Sequence, residues 1–366
     1  MANSKTKPSL AGLNPQELQK LFAKFEQPGY RAVQVYQWIH HFQATSFAEM
    51  TNLPKSFREV LARHFRIGSL RLNTRQVSND GTRKYLWELD DGKLIESVFI
   101  PVVDSFGKTI RNTICISSQV GCALGCAFCA TAKMGFMKNL SVGEIVEQVI
   151  RVQHDTGKKI TNVVFMGMGE PFLNYHRVIS ASKILSDPAG LAISSQKITL
   201  STVGIVPRII QFTDEKQPFK LAISLHAPTQ ALRREFMPVA DKFSLDALMQ
   251  SAHYYTQQQT RKRITFEYVL LEGVNDTPEI AHELLKLLAP LRCKLNLIPF
   301  NDTGVGFSLP NEQRIQAFVK ILENASFPVM VRKNRGNDIA AACGQLFAAA
   351  AEAESPRFIN AGKNET

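Results

Sequence analysis

The 366-residue chain carries 43 Lys and Arg against 32 Asp and Glu, a formal charge of +11, and 45% of its residues are hydrophobic. That composition supports a large core and excludes wholesale disorder, and no apolar run approaches the roughly 18–20 residues of a membrane span. Six cysteines are too sparse for a disulfide scaffold, and the length fits either two domains of about 150 residues or one α/β barrel with an appendage.

The opening stretch MANSKTKPSLAGLNPQ lacks the apolar segment of a secretion signal, so the expected location is cytoplasmic. Residues 1–68 read as a small helical accessory domain. Asn14-Pro15 is an N-cap followed by proline at the first helical position, ahead of an apolar face of Leu18, Leu21, Phe22 and Phe25. A second segment carries Val33, Tyr36, Trp38, Ile39 and Phe42, and a third, after Pro54, carries Phe57, Val60, Leu61 and Phe65. The tryptophan and histidines of this module read as packing and surface residues. Over residues 69–110 the period changes to two, and Asp80-Gly81 and Asp91-Gly92 punctuate a short β-meander.

From 111 to 350, strand-like segments near 113–117, 161–166, 197–201, 220–225, 264–270 and 294–298 alternate with helical ones, with a seventh candidate near 328–332. Ser141-x-x-Glu144 is a capping box that starts one of these helices. Repeated strand–helix units imply parallel strands with right-handed crossovers, hence an α/β fold built as an open sheet or as a full or partial barrel. The alanine-rich stretch at 347–353 reads as a terminal helix continuing, and 351–366 as a frayed tail.

The positive balance fits a polyanionic partner, most simply nucleic acid, or else a merely soluble basic surface. Its basic residues come in short groups: Arg233-Arg234, Arg261-Lys262-Arg263, and Arg332-Lys333 with Arg335. The cysteines are unevenly placed, with Cys115, Cys122, Cys126 and Cys129 close together and Cys293 and Cys343 alone. Cys122-Ala-Leu-Gly-Cys126-Ala-Phe-Cys129 spaces three thiols on a tight loop, suited to three corners of a cubane iron–sulfur cluster whose last iron stays open. Tetrahedral zinc would want a fourth Cys or His close by, and none follows Cys129 until His154. Cys115, inside a predicted strand, is an awkward fourth ligand. Chance spacing and zinc remain the competing readings of the motif.

The C-x3-C-x2-C spacing, with an aromatic residue before the last cysteine, resembles the radical SAM superfamily. Gly-Met-Gly169-Glu170-Pro, Ser201-Thr, Ser224-Leu225-His226 and Asn301 stand at the ends of predicted strands, where a barrel carries its site. The closer resemblance is to the RlmN-type adenine methyltransferases of ribosomal and transfer RNA. It is carried by Glu96-Ser-Val-Phe-Ile-Pro101, Ser117-Ser-Gln-Val-Gly-Cys122, Met134-Gly-Phe, Gly167-Met-Gly-Glu-Pro171, Ser201-Thr-Val-Gly, Glu267-Tyr-Val, Val274-Asn-Asp276, Leu297-Ile-Pro, Arg335-Gly-Asn-Asp-Ile and Ala342-Cys343-Gly-Gln-Leu, over nearly the whole chain.

What the resemblance implies is specific. The fold would be a partial (β/α)6 radical SAM barrel behind the helical domain and the meander. Cys122, Cys126 and Cys129 would hold one 4Fe-4S cluster. Gly169, Glu170, Ser201, Ser224, Leu225, His226 and Asn301 would contact S-adenosylmethionine (SAM), two molecules of which are used per turnover. Cys343 would be methylated and then carry a methylene radical to carbon 2 of adenine, Cys115 would resolve the adduct through a transient disulfide, and Glu96 would be the general base. Partners would be 23S rRNA, tRNA and an electron donor such as flavodoxin, acting on a monomer that no membrane holds. A Cfr-type carbon-8 methyltransferase is the related alternative, and a non-catalytic iron–sulfur or zinc RNA-binding protein the alternative of another class. From the residues alone, Cys343 would be a small buried residue, Glu96 an outward-facing strand carboxylate, His226 a satisfied polar residue, and Cys293 packing.

Docking structured RNA through the +11 surface predicts a salt-dependent affinity. Log K should fall with log salt by roughly 0.7 per neutralised phosphate in single-stranded regions, measured by fluorescence anisotropy, and a flat response would refute the electrostatic role.

Overall fold

A computed structural model describes residues 7–304, 306–332 and 334–347. The chain opens with three helices, α1 (Pro15–Ala23), α2 (Tyr30–His40) and α3 (Lys55–His64). Asn14 caps α1 as its sequence demands: its side chain accepts from Glu17 N at 3.0 Å, and Glu17 Oε2 accepts from Asn14 N at 2.8 Å. Leu18 and Phe22 are buried, and Phe22 meets Phe57 of α3 edge-on with centroids 5.3 Å apart. On α2 the buried stripe differs from the expected one. Val35, Tyr36, Ile39 and His40 point inward, whereas Val33 and Phe42 stay exposed.

Three strands follow, β1 (Arg71–Val77), β2 (Arg83–Glu88) and β3 (Leu94–Val103), paired antiparallel as the predicted meander. The meander is continuous with the main sheet, because β3 pairs antiparallel with β4 (Thr109–Cys115). A two-stranded hairpin, β5 (Gln119–Gly121) and β6 (Phe136–Asn139), brackets the cysteine loop. Strand–helix units then run α4 (Val142–Thr156), β7 (Asn162–Phe165), α5 (Tyr175–Ser186), β8 (Ile198–Thr202), α6 (Val206–Asp214) and β9 (Lys220–Ser224). They continue through α7 (Gln230–Phe236), α8 (Val239–Lys242), α9 (Leu245–Gln258), β10 (Ile264–Leu270), α10 (Pro278–Leu288), β11 (Cys293–Pro299), α11 (Glu312–Leu322) and β12 (Val329–Val331).

Strand order is β1-β2-β3-β4-β7-β8-β9-β10-β11-β12, and β4 with β7 to β12 is parallel throughout. β1 and β12 are not paired with each other, so the sheet stays open as a partial barrel: the six expected strands plus a three-residue seventh. Side chains alternate in and out of the curved sheet. Leu221, Ile223 and Leu225 are buried in the outer layer beneath the helices, while Lys220 and Ser224 on the other face are only partly covered. The exposed edge strand β1 presents Arg71 and Arg75, charges that discourage edge-to-edge pairing.

The helical module shares one hydrophobic core with the barrel. Its polar fastening is Glu147 on α4, which is buried and accepts from Ser69 N at 2.6 Å, Leu70 N at 2.9 Å and Ser69 Oγ at 3.1 Å. Cys293 is buried, with its thiol against the Leu288 carbonyl. No helix among the described residues is long and apolar enough to cross a membrane. The expected helix beyond 347 and the tail at 351–366 lie outside the described residues.

His40 is fully buried against the Tyr36 ring, neither ring nitrogen has a partner among the described residues, and burial pushes its pKa down to about 3. The unfolded chain takes up a proton near 6.5 that the folded chain refuses until about 3, so stability falls as pH drops through that window. His40→Leu should therefore make urea unfolding less pH-sensitive, removing about 2 kcal/mol of the loss between pH 6.5 and 5. Parallel profiles for wild type and variant would contradict this.

Candidate active site

The carboxyl ends of the parallel strands open into a cavity lined by Cys122, Cys126 and Cys129, by Gly169 and Glu170 after β7, by Ser201, Ser224 and His226, and by Asn301 and Cys343. The cysteine loop is fixed from several sides. Cys122 N donates to Gly135 O at 2.9 Å, Ala127 N to Phe236 O at 2.9 Å, and Ala130 N to Gly344 O at 2.8 Å. Gly121, at φ +70°, is where the loop leaves β5, and a Cβ there would sit 1.8 Å from Gly135 O. Phe128, between two of the cysteines, packs edge-on against His226 and Phe236.

Burial raises all three thiols, Cys122 to about 11, so without a cation beside them they hold their protons. Loading a metal group there releases protons. Among the described residues, no three His, Cys, Asp or Glu side chains gather where one ion could bind them. Zinc needs such convergence. A cubane cluster takes each sulfur at a separate corner, and the three cysteines line one cavity, near enough that Cys129 and Cys122 both act on the Cys126 thiol.

Glu170 is buried, with its carboxyl raised to about 7 by that burial, and it already accepts from Phe172 N and Val203 N, each at 2.9 Å. It can take a further donor only on its remaining lone pairs. The glycine preference at 169 has an internal cause. Its φ is +93°, and a Cβ would meet that of Gln119 at 2.4 Å, so the turn needs glycine to lie against β5.

His226 is buried at φ +60°, and burial lowers its pKa to about 3. The ring is neutral, and Nδ1 accepts from Val269 N at 3.0 Å, which leaves the proton on Nε2. Leu225 does not line the cavity: strand alternation turns its side chain into the outer layer. Arg233, read from sequence within a basic group, is 1% exposed and unavailable to a nucleic acid. Its guanidinium donates to the carbonyls of Leu225 and Val203 and ties together the ends of β8 and β9.

A second, larger cavity of about 490 Å³ occupies the amino-terminal end of the same lumen. The two cavities share Met166, Glu267, Ile298, Asn301, Arg332 and Cys343. Arg332 Nη1 lies 3.6 Å from Cys343 Sγ and 3.6 Å from Glu267 Oε2, while Asn296 Nδ2 donates to Glu267 Oε1 at 2.9 Å. The charge on Cys343 sulfur is the main influence holding the Arg332 proton. Cys115 lines only the lower cavity, and burial, with the Cys343 charge adding to it, pushes its thiol up to about 12.

Glu96 is buried on the lumen side of β3, two residues before Val98, in place of the outward-facing carboxylate that residue pattern alone suggests. It lines neither cavity because residues 346–347 cover it: Phe347 N donates to Oε2 at 2.8 Å, and Lys84 Nζ stands 3.5 Å from Oε1. Burial raises its carboxyl, against the pull of Lys84. The sequence reading passed over Arg332 and Glu267 as site residues. The available signal was a carboxylate in the middle of β10, a strand whose other residues are apolar or aromatic apart from Thr265.

Two family models match the chain: a ribosomal RNA large subunit methyltransferase N-terminal domain over residues 9–67, and the radical SAM superfamily over 116–285. A probable dual-specificity RNA methyltransferase RlmN of Thermotoga neapolitana is 47% identical over 87% of this chain and 91% of its own length. The dual-specificity RNA methyltransferase RlmN of Syntrophobacter fumaroxidans is 44% identical over 91% and 96%. The crystal structure of a radical SAM methyltransferase from Sphaerobacter thermophilus superposes with a TM-score of 0.88 at 40% identity, covering 93% of this chain and all of that one.

Because a methyl at 121 would strike a backbone oxygen, Gly121→Ala should cost about 1–3 kcal/mol and displace the cysteine loop. Iron and sulfide content after reconstitution, beside thermal unfolding, checks this. Wild-type iron loading at unchanged stability would contradict it.

Proposed function

The chain belongs to the RlmN family of radical SAM RNA methyltransferases, and from that membership we propose that it methylates carbon 2 of an adenine in 23S rRNA and of adenine 37 in some tRNAs. The observation that carries this reading is the position of Cys343, which lines both cavities and can face a cofactor above and a base below. An acceptor that receives a methyl group from one side and delivers it on the other needs that placement.

In this reading Cys122, Cys126 and Cys129 hold a 4Fe-4S cluster, and Gly169, Glu170, Ser201, Ser224, His226 and Asn301 surround SAM, with Leu225 contributing backbone. When bound, the cluster and SAM supply one-electron cleavage of the sulfonium and hence a hydrogen-abstracting radical. The chain supplies the rest. Arg332 Nη1, 3.6 Å from Cys343 Sγ, orients the sulfur that first accepts a methyl group by polar displacement. The lumen walls would hold sulfur and base in register.

Once the methylene carbon is bonded to the base, Glu96 takes the proton from carbon 2, its affinity for a proton raised by burial, and the unpaired electron of the adduct would leave to the one-electron carrier that the cysteine loop would hold. Reaching the base requires residues 346–347 to leave its carboxylate. Cys115 thiolate then attacks Cys343 Sγ. The S–S bond forms as the sulfur–methylene bond breaks, and its electron pair goes to carbon, which takes a proton and becomes the methyl group. An external thiol reduces the disulfide, and an electron donor such as flavodoxin serves the monomer.

The test is anaerobic reconstitution with iron and sulfide, followed by SAM, reductant and a 23S rRNA fragment, with nucleosides read by mass spectrometry. 2-Methyladenosine is expected, and the 8-methyl isomer would replace this reading by the carbon-8 one. Cys343→Ala should abolish methylation of RNA while SAM is still cleaved, and full methylation by that variant would overturn the role of Cys343.

A further inference from the structure

The lower cavity is lined unlike a barrel core. Closed α/β barrels fill their interior with branched apolar side chains. Here the inward residues at the amino-terminal ends are Arg111, Asn162, Thr199, Lys220, Thr265 and Lys294, with Asn296 above Lys294 on β11. Lys220 and Lys294 stand close enough for the charge of Lys294, after burial, to lower the affinity of Lys220 for its proton, and Lys197 adds to the effect. None of Arg111, Lys197, Lys220, Arg263 or Lys294 enters an ion pair among the described residues. Among the described residues the one carboxylate lining this cavity is Glu267, with Arg332 3.6 Å from its Oε2.

Uncompensated cations gathered at the mouth of a concave space call for an anion from outside the chain. An independent observation concerns hydrogen bonding. Among the described residues Asn296 Oδ1 is a buried acceptor without a donor, and Glu267 Oε2 has only Arg332 at 3.6 Å, beyond hydrogen-bond length; both residues line this cavity. Buried acceptors left unpaired are costly, so a molecule that enters the lumen with a donor to offer them would be favoured there. A molecule that is anionic at one end and carries N–H donors at the other is a nucleotide with an exocyclic amine. Adenine offers such an amine, and a base taken out of its stack is read along that edge.

We propose that the lower cavity is the pocket for the extruded adenosine: Asn296 Oδ1 and Glu267 accept from its exocyclic amine, and Lys220 and Lys294 bind the phosphates beside it. The assignment rests on the RNA-methylating reading and adds the face of entry, the amino-terminal mouth opposite the cysteine loop. It also explains the height of the cavity. Cys115 is level with Val164, Val164 with Thr199, and Thr199 with Lys220, so one row of the sheet runs from the resolving cysteine to the basic mouth.

The test uses reconstituted enzyme and two RNA fragments, one with adenosine and one with purine riboside, which lacks the amine, at the target position. Lys220→Gln/Lys294→Gln should flatten the log K against log salt slope by about 1.4, two phosphates at roughly 0.7 each, and raise KM for RNA more than it lowers kcat. Lys220→Arg/Lys294→Arg should restore the slope, which separates charge from damage to the fold. Wild type should lose roughly tenfold or more in kcat/KM on purine riboside, and Asn296→Leu should treat the two fragments nearly alike. A wild-type slope in the double Gln variant, or undiminished discrimination in Asn296→Leu, would overturn the pocket. A wild-type protein that neither binds nor methylates RNA would instead overturn the reading on which the pocket rests.

Discussion

The two-residue period of seven parallel strands is the constraint from which the site follows. Each strand must give one face to the helices and the other to the lumen, so its residues divide into an apolar set and a set free to be polar. On β9 the helices take Leu221 and Ile223, and the lumen takes Lys220 and Ser224. On β11 the helices take Leu295 and Leu297, and the lumen takes Lys294, Asn296 and Ile298. Hydrophobic burial of roughly 25 cal/mol per Å² is thus concentrated on the outer face. The inner face can then tolerate unpaired cations and orphaned acceptors that a filled core would forbid.

Charge is distributed by the same logic. Arg233, buried behind the ends of β8 and β9 and held by backbone carbonyls alone, loses part of its affinity for a proton, to about 10. It is a structural cation beside the cysteine loop. Arg332 is one third exposed inside the lumen and shares its charge between Glu267 and the Cys343 sulfur. The lysines at the mouth answer to no carboxylate. One composition of +11 therefore divides three ways, and only the last leaves charge available to the polyanion proposed for it.

Strand positions were legible because period and turn residues act locally. The six strands and the short seventh fall within a few residues of their expected places, and the capping boxes at Asn14 and Ser141 form as their side chains require. The cysteine spacing likewise declared its loop. What stayed hidden depends on distant contacts. Arg233 reads as surface until α7 is seen packed against the strand ends. Glu96 reads as outward until the 340s segment is laid over it. The stripe of α2 misleads because Tyr36 and His40 pack on Gly190, far along the chain.

The open side of the barrel gives that last segment its importance. Residues 336–347 reach from β12 back to the meander: Gly336 N donates to Asp80, Lys84 to Ala340 O, and Phe347 N to Glu96. They reach the cysteine loop as well, through Ala130 N to Gly344 O and Thr131 Oγ1 to Leu346 O. The segment therefore spans the gap that an eighth strand would close, and Cys343 sits at its centre. A sulfur on a strand would have one fixed neighbourhood. In the proposed reaction a sulfur on this strap, held by hydrogen bonds worth about 1 kcal/mol each and by the buried side chains of Ala341 and Leu346, would meet a methyl donor above, a base below and Cys115 beside it in turn. An unclosed barrel is the architecture that would let one thiol serve the three partners proposed for it.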